Sequence, residues 1–483
     1  MAEQSIGQNE PPSHHGGLEN LDTEHSYWID QYDGAIPQDL EGTFFRNGPG
    51  RQRIGETKYG HWFDGDGMLC AFSFKDGKAH FKNAYVRTPK YLEETEAQGI
   101  KYRGFGTQIP GGFIKNMGQM PANPANTNTV YHGGKLMALN EGGHPWELDP
   151  KDLSTVGEYD YEGDLARGQV FSAHGRVHPK TGDYFNFGAG ASGMGLKGPK
   201  PCLNIYRINP AGKMINKGQV PLEHFPFCHD FVITEHYAIF FIGSIVFNGM
   251  AGVMLGTKTI SDVVAYDDSI DMQVVVVDLD TLETVKTFST GDGAIVHFGN
   301  AYERGAEIVV DGCYQNGFEA NATLVDVFAP ESKFAGGWYN RYVLNMETGV
   351  ITSDRLSDVN CEFPTFNTSY VGKPNKTTYM ACSVENGYNG FFNGIQRIDD
   401  DGENSHLTLP PGYYGSEPLF APAKNATRED DGYLLEVVYD GFAHKSELQI
   451  LRADNIHDQV ARLPLQHHLP HQFHGFYTPE VFG

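Results

Sequence analysis

No run of about twenty apolar residues occurs in the 483-residue chain, so no helix is expected to cross a bilayer. Positive charge is scarce as well. Only 36 Lys and Arg stand against 61 Asp and Glu, a formal net charge of -25. Binding to phosphate backbones needs clustered cations, so nucleic acid is excluded as a partner. The same deficit removes electrostatic attachment to an anionic membrane surface. The six cysteines stand singly with no C-x-x-C pair. In so long a chain that excludes a disulfide framework or a zinc ribbon and leaves reduced thiols, hence a cytoplasmic setting, as the expectation. Residues Met1 to Gly17 are polar and contain no apolar h-region, so no secretory signal is expected. Long helical periodicity is missing, and so is a crisp WD-like or kelch-like repeat.

What is present is a succession of short strand-like runs broken by Gly and Asp. Ala71-Phe-Ser-Phe-Lys, Asp183-Tyr-Phe-Asn-Phe, Gln273-Val-Val-Val-Val and Gly432-Tyr-Leu-Leu-Glu-Val-Val-Tyr are examples. Asp76-Gly77, Gly133-Gly134, Thr181-Gly182, Ala211-Gly212 and Thr348-Gly349 carry the chemistry of tight hairpins. The 58 glycines suit a chain that turns often. Many short strands without alternating helices point to an all-β fold, closed or radial. No linker divides the chain. Residues 1–25 are expected to be disordered and 26–483 to form one domain.

Four segments centred on histidine are scattered through the chain: Phe171-Ser-Ala-His174, Phe227-Cys-His229-Asp230, Ile295-Val-His297-Phe-Gly-Asn300 and Gln472-Phe-His474-Gly475. Separations of 55, 68 and 177 residues match no local metal motif. Most of the 20 histidines have an ordinary surface or hydrogen-bonding reading, among them His14, His15, His61, His236, His406 and His444. The cluster His467-His468-Leu-Pro-His471 also reads as a polar stretch. His174, His229 and His297 differ in lying at strand-like ends behind apolar residues, where a ring can turn inward. An all-imidazole set suits Fe, Zn, Cu or Ni. Glu141, Glu362 and Glu417 lie in Gly- or Pro-framed segments and would suit carboxylates that fix the ligand rings. Salt bridges or solvent exposure are their plain alternative.

The ordered series of these motifs resembles the carotenoid cleavage oxygenases, and within them the bacterial apocarotenoid oxygenase branch. The likeness runs from about Tyr27 to the C-terminus. It includes Gly42-Thr-Phe-Phe-Arg46-Asn47-Gly-Pro-Gly, Phe63-Asp64-Gly65-Asp66-Gly67-Met, Tyr85-Val-Arg87-Thr88, Ala125-Asn-Thr127-Asn, the four His segments and the three Glu segments. The resemblance implies a seven-bladed β-propeller with a cap of loops and short helices over an axial Fe(II). It implies His174, His229, His297 and His474 as metal ligands. Glu141, Glu362 and Glu417 would orient three of those rings, and Thr127 would crowd one open coordination position. The implied reaction consumes dioxygen and splits a conjugated C=C bond into aldehyde or ketone products.

A lysine that holds a phenolic oxygen in stilbene-cleaving relatives is replaced here by Asn140, which favours an apocarotenoid or carotenoid over a stilbenoid or phenylpropene. Tyr102 matches a tyrosine found in both branches and does not discriminate. A polyene isomerase or binding protein on the same scaffold is the remaining alternative. A hydrophobic substrate calls for membrane access, and Ile245–Leu255 and Phe105–Met120 are the candidate segments for peripheral contact. Arg46 and Asn47 read as turn-stabilising residues. Asp64 to Gly67 resembles a fragment of a calcium loop without the remaining spacing. Asp230 and Asn300 are expected to hydrogen-bond beside the ligands.

Overall fold

The hairpin chemistry translates directly into structure. Asp76 and Gly77 adopt φ of 51° and 67° between strands Asp66–Lys75 and Lys78–Tyr85. Gly133 and Gly134 adopt 58° and 79° between Asn128–His132 and Lys135–Leu139. Two positive φ angles give the primed turn whose twist matches antiparallel strands. The computed structural model describes residues 11–195, 198–225, 227–318, 324–329, 333–334, 336–384, 390–400 and 402–483. Among them the strands form seven sheets of four to six strands, the blades of a propeller, and two small ribbons.

In most blades the chain runs from the innermost strand outward by hairpins. Asn128–His132, Lys135–Leu139, Trp146–Leu148 and Thr155–Glu158 are one such antiparallel series. The ring closes differently. The last strand, His474–Thr478, pairs with Gly42–Arg51 in the register Asn47↔His474 and Thr43↔Thr478. Asp33–Gly34 in turn adds to Gln459–Pro464 of the last blade. The two chain ends are thus woven into each other's blades, which closes the ring. Phe44, Phe72, Phe74, Phe81, Leu435 and Leu448 pack across that seam at 0% exposure. Each such side chain contributes about 1.5–3 kcal/mol by leaving water, so burial dominates the closure.

Order begins earlier than the sequence suggested. Residues 1–10 lie outside the described residues, but His14–Leu18 form a 3-10 turn, and Leu18 and Leu21 are buried. Two apolar anchors in a polar segment suffice because their partners come from the far end of the chain. The Tyr414 hydroxyl donates to Pro12 O at 2.6 Å, and His471 N–H donates to Gly17 O at 2.7 Å.

Candidate metal centre

Each blade supplies one candidate residue near the start of its innermost strand. Thr127, His174 and His229 precede Asn128–His132, Arg176–Val177 and Val232–Ile233. His297 and Glu362 lie within Ala294–Arg304 and Asn360–Thr365. Glu417 precedes Leu419–Pro422, and His474 opens His474–Thr478. The pairing register is broken beside both residues that lie inside strands, between Ile295 and Phe298 and between Glu362 and Thr365. Such bulges re-aim a side chain out of the regular pleat.

The four rings converge. The Nε2 atoms of His174 and His229 stand 3.0 Å apart, those of His229 and His297 3.1 Å, and those of His297 and His474 3.1 Å. All four ligand-capable atoms lie within 4.8 Å of one another. His297 Nδ1 donates to Glu362 Oε2 at 2.7 Å, and His474 Nδ1 donates to Glu417 Oε1 at 2.9 Å. His229 Nδ1 meets the Glu141 carboxylate. With the proton held on Nδ1 of His229, His297 and His474, the Nε2 atoms of those three rings carry lone pairs. Neighbouring lone pairs at 3.1 Å repel and cannot hydrogen-bond, so a shared cation is what reconciles them. The spacing also fits. Right-angled ligands on bonds of about 2.1 Å stand about 3.0 Å apart, against about 3.4 Å for a tetrahedron. These residues could therefore hold a divalent metal with coordination positions to spare.

Electrostatics favour the neutral form at two of the four rings. Burial, reinforced by the neighbouring rings, holds His174 and His474 well below the usual histidine range. Neutral imidazole is the form that binds metal. Burial opposes the charged form of His229 too, but the Glu141 carboxylate overcomes it and raises that ring. Glu362 is fixed on three sides, accepting also from Gln315 Nε2 at 2.9 Å and Phe363 N–H at 2.8 Å. His174 has no glutamate of its own. Its Nδ1 faces Asp230 at 3.8 Å, and that carboxylate is engaged by Arg176 at 2.8 Å and Phe298 N–H at 3.0 Å. Thr127 is buried at the same end of the blades, where its Oγ1 accepts from Asn140 Nδ2 at 3.0 Å.

Other sequence candidates are placed elsewhere or spent. Asn300 holds the carbonyls of Tyr370 and Lys373. His468 and His471 bond to the Glu19 and His14 carbonyls. The calcium-like fragment is occupied by protein donors: Asp64 accepts from Gly106 N–H and Thr107 Oγ1, and Asp66 from Arg51 and Lys90. Arg46 is a strand residue and not a turn residue. It sits at 0% exposure in the continuous strand Gly42–Arg51, and its Nη1 donates to Glu417 Oε2 and Glu417 O, both at 3.0 Å. An arginine inside Thr-Phe-Phe-Arg-Asn was the available signal, because a buried cation requires a partner.

Residues 18–479 match the family model described as retinal pigment epithelial membrane protein. The chain is 34% identical over 478 residues to apocarotenoid-15,15'-oxygenase of Synechocystis sp., covering 95% of this chain and 94% of the relative. It is 29% identical over 479 residues to carotenoid 9,10(9',10')-cleavage dioxygenase 1 of Pisum sativum, covering 92% and 86%. The crystal structure of cobalt-substituted Synechocystis ACO superposes with a TM-score of 0.87 at 33% identity, covering 96% of this chain and 98% of that one.

Proposed function

Since the chain belongs to the family of the retinal pigment epithelial membrane protein and the carotenoid cleavage oxygenases, we propose that it is an Fe(II)-dependent dioxygenase that splits a conjugated C=C bond of an apocarotenoid or carotenoid. The carrying observation is the convergence of four imidazole Nε2 atoms backed by carboxylates. The reaction balances as one alkene and one O2 giving two carbonyl products, with one oxygen atom in each. Bound iron would supply oxygen activation without requiring the apolar substrate as a ligand. The protein's part is positional. Glu141, Glu362 and Glu417 hold the Nδ1 protons of His229, His297 and His474 and so keep three lone pairs aimed at one point. Phe363 packs on His297 and His474 at ring-centroid distances of 5.0 and 5.1 Å, excluding water from that side.

Asn140 supports a polyene as the substrate class. Its amide is used internally, donating to Asn126 Oδ1 at 3.1 Å and Thr127 Oγ1 at 3.0 Å and accepting from Gly142 N–H. That position offers no ammonium for a phenolate, which favours a polyene. Incubating iron-loaded protein under labelled O2 with apocarotenals, carotenes and hydroxystilbenes tests the reading. Labelled apocarotenoid fragments are expected, and their masses locate the cut. Benzaldehyde-type products would establish the stilbenoid alternative. Intact or isomerised polyenes without label would overturn scission. Within the site, Glu362→Gln is expected to keep the fold but weaken metal retention or turnover by about 10–100-fold. Wild-type values in that variant would remove Glu362 from the positioning role.

Among the described residues no helix is long and apolar enough to cross a membrane. Peripheral contact has a better-defined basis than the two sequence segments gave. Ile245 and Val246 are buried in a small ribbon with Val264–Tyr266, and Phe105 packs on His61 and Phe63, so those parts face inward. Phe113, Ile114, Met117, Met120, Met254 and Leu255 are instead 48–70% exposed. Gly118 N–H donates to Met254 O at 2.9 Å, joining the two segments. Arg103 ties them further through the carbonyls of Asn116, Gln119, Val253 and Lys258. An apolar patch of this kind suits the acyl boundary of a bilayer. Ile114→Asp combined with Leu255→Asp is expected to slow polyene uptake from liposomes severalfold while sparing turnover of detergent-dispersed substrate. Unchanged liposome partitioning would move the contact elsewhere.

A further inference from the structure

Three of the four rings are held at Nδ1 by a glutamate of their own, and His174 is not. The carboxylate facing its Nδ1 is Asp230 at 3.8 Å, beyond hydrogen-bond distance. A ring without that hold must be aimed by other means if its Nε2 is to stand 3.0 Å from that of His229. The means lie in the main chain. The Ser172 hydroxyl accepts from His174 N–H at 3.0 Å and donates to the His229 carbonyl at 3.2 Å, so one side chain couples the backbones of two ligands. Asn186 fixes Ser172 in turn. Its Oδ1 accepts from Ser172 N–H at 2.9 Å, and its Nδ2 donates to the carbonyls of Ser172 at 3.0 Å and His174 at 3.2 Å. Ser172 is 1% and Asn186 0% exposed, so water does not compete for these bonds. Gly175 completes the seat, because a Cβ there would collide with Tyr184 Oη.

Asp230 extends the coupling to a third ligand. Its Oδ2 accepts from Phe298 N–H at 3.0 Å and from Arg176 Nη2 at 2.8 Å, and its Oδ1 accepts from Phe231 N–H at 2.8 Å. Arg176 lies two residues after His174, and Phe298 directly follows His297. A single carboxylate, 2% exposed, thereby joins the segments carrying His174, His229 and His297. Hydrogen bonds to an ionised acceptor are stronger than neutral ones, which suits this carboxylate to the task.

We propose that Ser172 and Asp230 are positioning residues that stand in for a fourth glutamate, fixing His174 relative to His229 and His297 through the main chain rather than through its ring. The proposal rests on reading the four rings as a metal centre. Glutamates set ring orientation at three ligands, while Ser172 and Asp230 set the separation of the segments that carry them. Loss of either loosens that separation and weakens metal binding without removing a ligand.

The test uses Co(II), added to the metal-free full-length protein and followed by the visible absorption of the bound ion. Ser172→Ala and Asp230→Asn are each expected to weaken Co(II) binding by about tenfold and to shift the absorption bands, which report the ligand arrangement. Ser357→Ala is the matched control. Ser357 Oγ likewise accepts from the N–H two residues on, that of Val359, and is 5% exposed, but its partners Val359 and Gln396 lie outside the ligand segments. This control should lower the thermal stability of the metal-free protein and leave Co(II) affinity and bands unchanged. Asp230→Asn preserves size, so it decides the matter if Ser172→Ala does not fold. Wild-type affinity and bands in either folded variant overturn the proposal, and so does an equal weakening in Ser357→Ala, which would place the effect in general stability. A wild-type protein that takes up no Co(II) would defeat the metal reading as well. Variants that match a Co(II)-binding wild type defeat the positioning role alone.

Discussion

Replacing His297 by Ala is expected to abolish metal retention and product formation together. His297 is one of the two inner members of the chain of close Nε2 contacts, 3.1 Å from both His229 and His474. Removing it leaves His229 and His474 without the ring that stands between them and opens a gap where water enters. The Glu362 carboxylate, 2% exposed, also loses its Nδ1–H partner and keeps only Gln315 and the Phe363 N–H. Loss of an outer partner alone costs about 10–100-fold in affinity or activity. Loss of a ligand should exceed that range. Iron per chain after gel filtration, measured beside labelled-product yield, checks the claim. A variant that holds iron at wild-type stoichiometry and still cleaves substrate would remove His297 from the ligand set. Thermal stability gives a second readout, since a metal that binds only the folded state raises its stability by mass action. Added Fe(II) should raise the melting temperature of the wild type and not that of His297→Ala.

The separations that looked uninformative in the sequence turn out to be the blade repeat. Successive residues His174, His229, His297 and Glu362 lie 55, 68 and 65 positions apart, and Glu417 and His474 lie 57 apart. Each step is one antiparallel blade, so the histidines and glutamates form one series rather than two. Histidine spacing alone hid this, because two blades between His297 and His474 contribute glutamates instead. The strands and hairpins were legible because their determinants are local: positive-φ pairs such as Asp76-Gly77 and apolar runs such as those of Gln273 to Val277. The seam was not legible. Asn47 pairs with His474 and Tyr414 reaches Pro12, contacts whose partners stand some four hundred residues apart. The same non-locality concealed the order of His14–Leu18 and the role of Arg46. Each depends on a partner that only ring closure brings near.

Arg46→Met is expected to destabilise the metal-free protein by about 3–5 kcal/mol, the usual cost of breaking a buried ion pair by removing one partner. Arg46 is fully buried, and Glu417 is 8% exposed, so little water is available to replace the guanidinium. Burial already pushes the Glu417 carboxyl up to about 7, with Arg46 the chief opposing influence. Without Arg46 the folded-state value rises further. A carboxyl whose folded pKa exceeds its unfolded one binds more protons when folded, so stability falls as pH rises between the two values. In the metal-free wild type that window runs from about 4.5 to about 7. In the variant it extends upward, so moving from pH 6 to pH 8 should cost Arg46→Met more stability than it costs the wild type. Urea unfolding at both pH values reads this directly. Adding Glu417→Gln to Arg46→Met removes the orphaned charge while leaving an amide oxygen to accept from His474 Nδ1. The double variant should recover most of the lost stability and lose the extra pH dependence. Equal pH dependence in Arg46→Met and wild type would show that the guanidinium does not govern Glu417. Failure of Glu417→Gln to restore stability would place the cost of Arg46→Met in packing rather than charge.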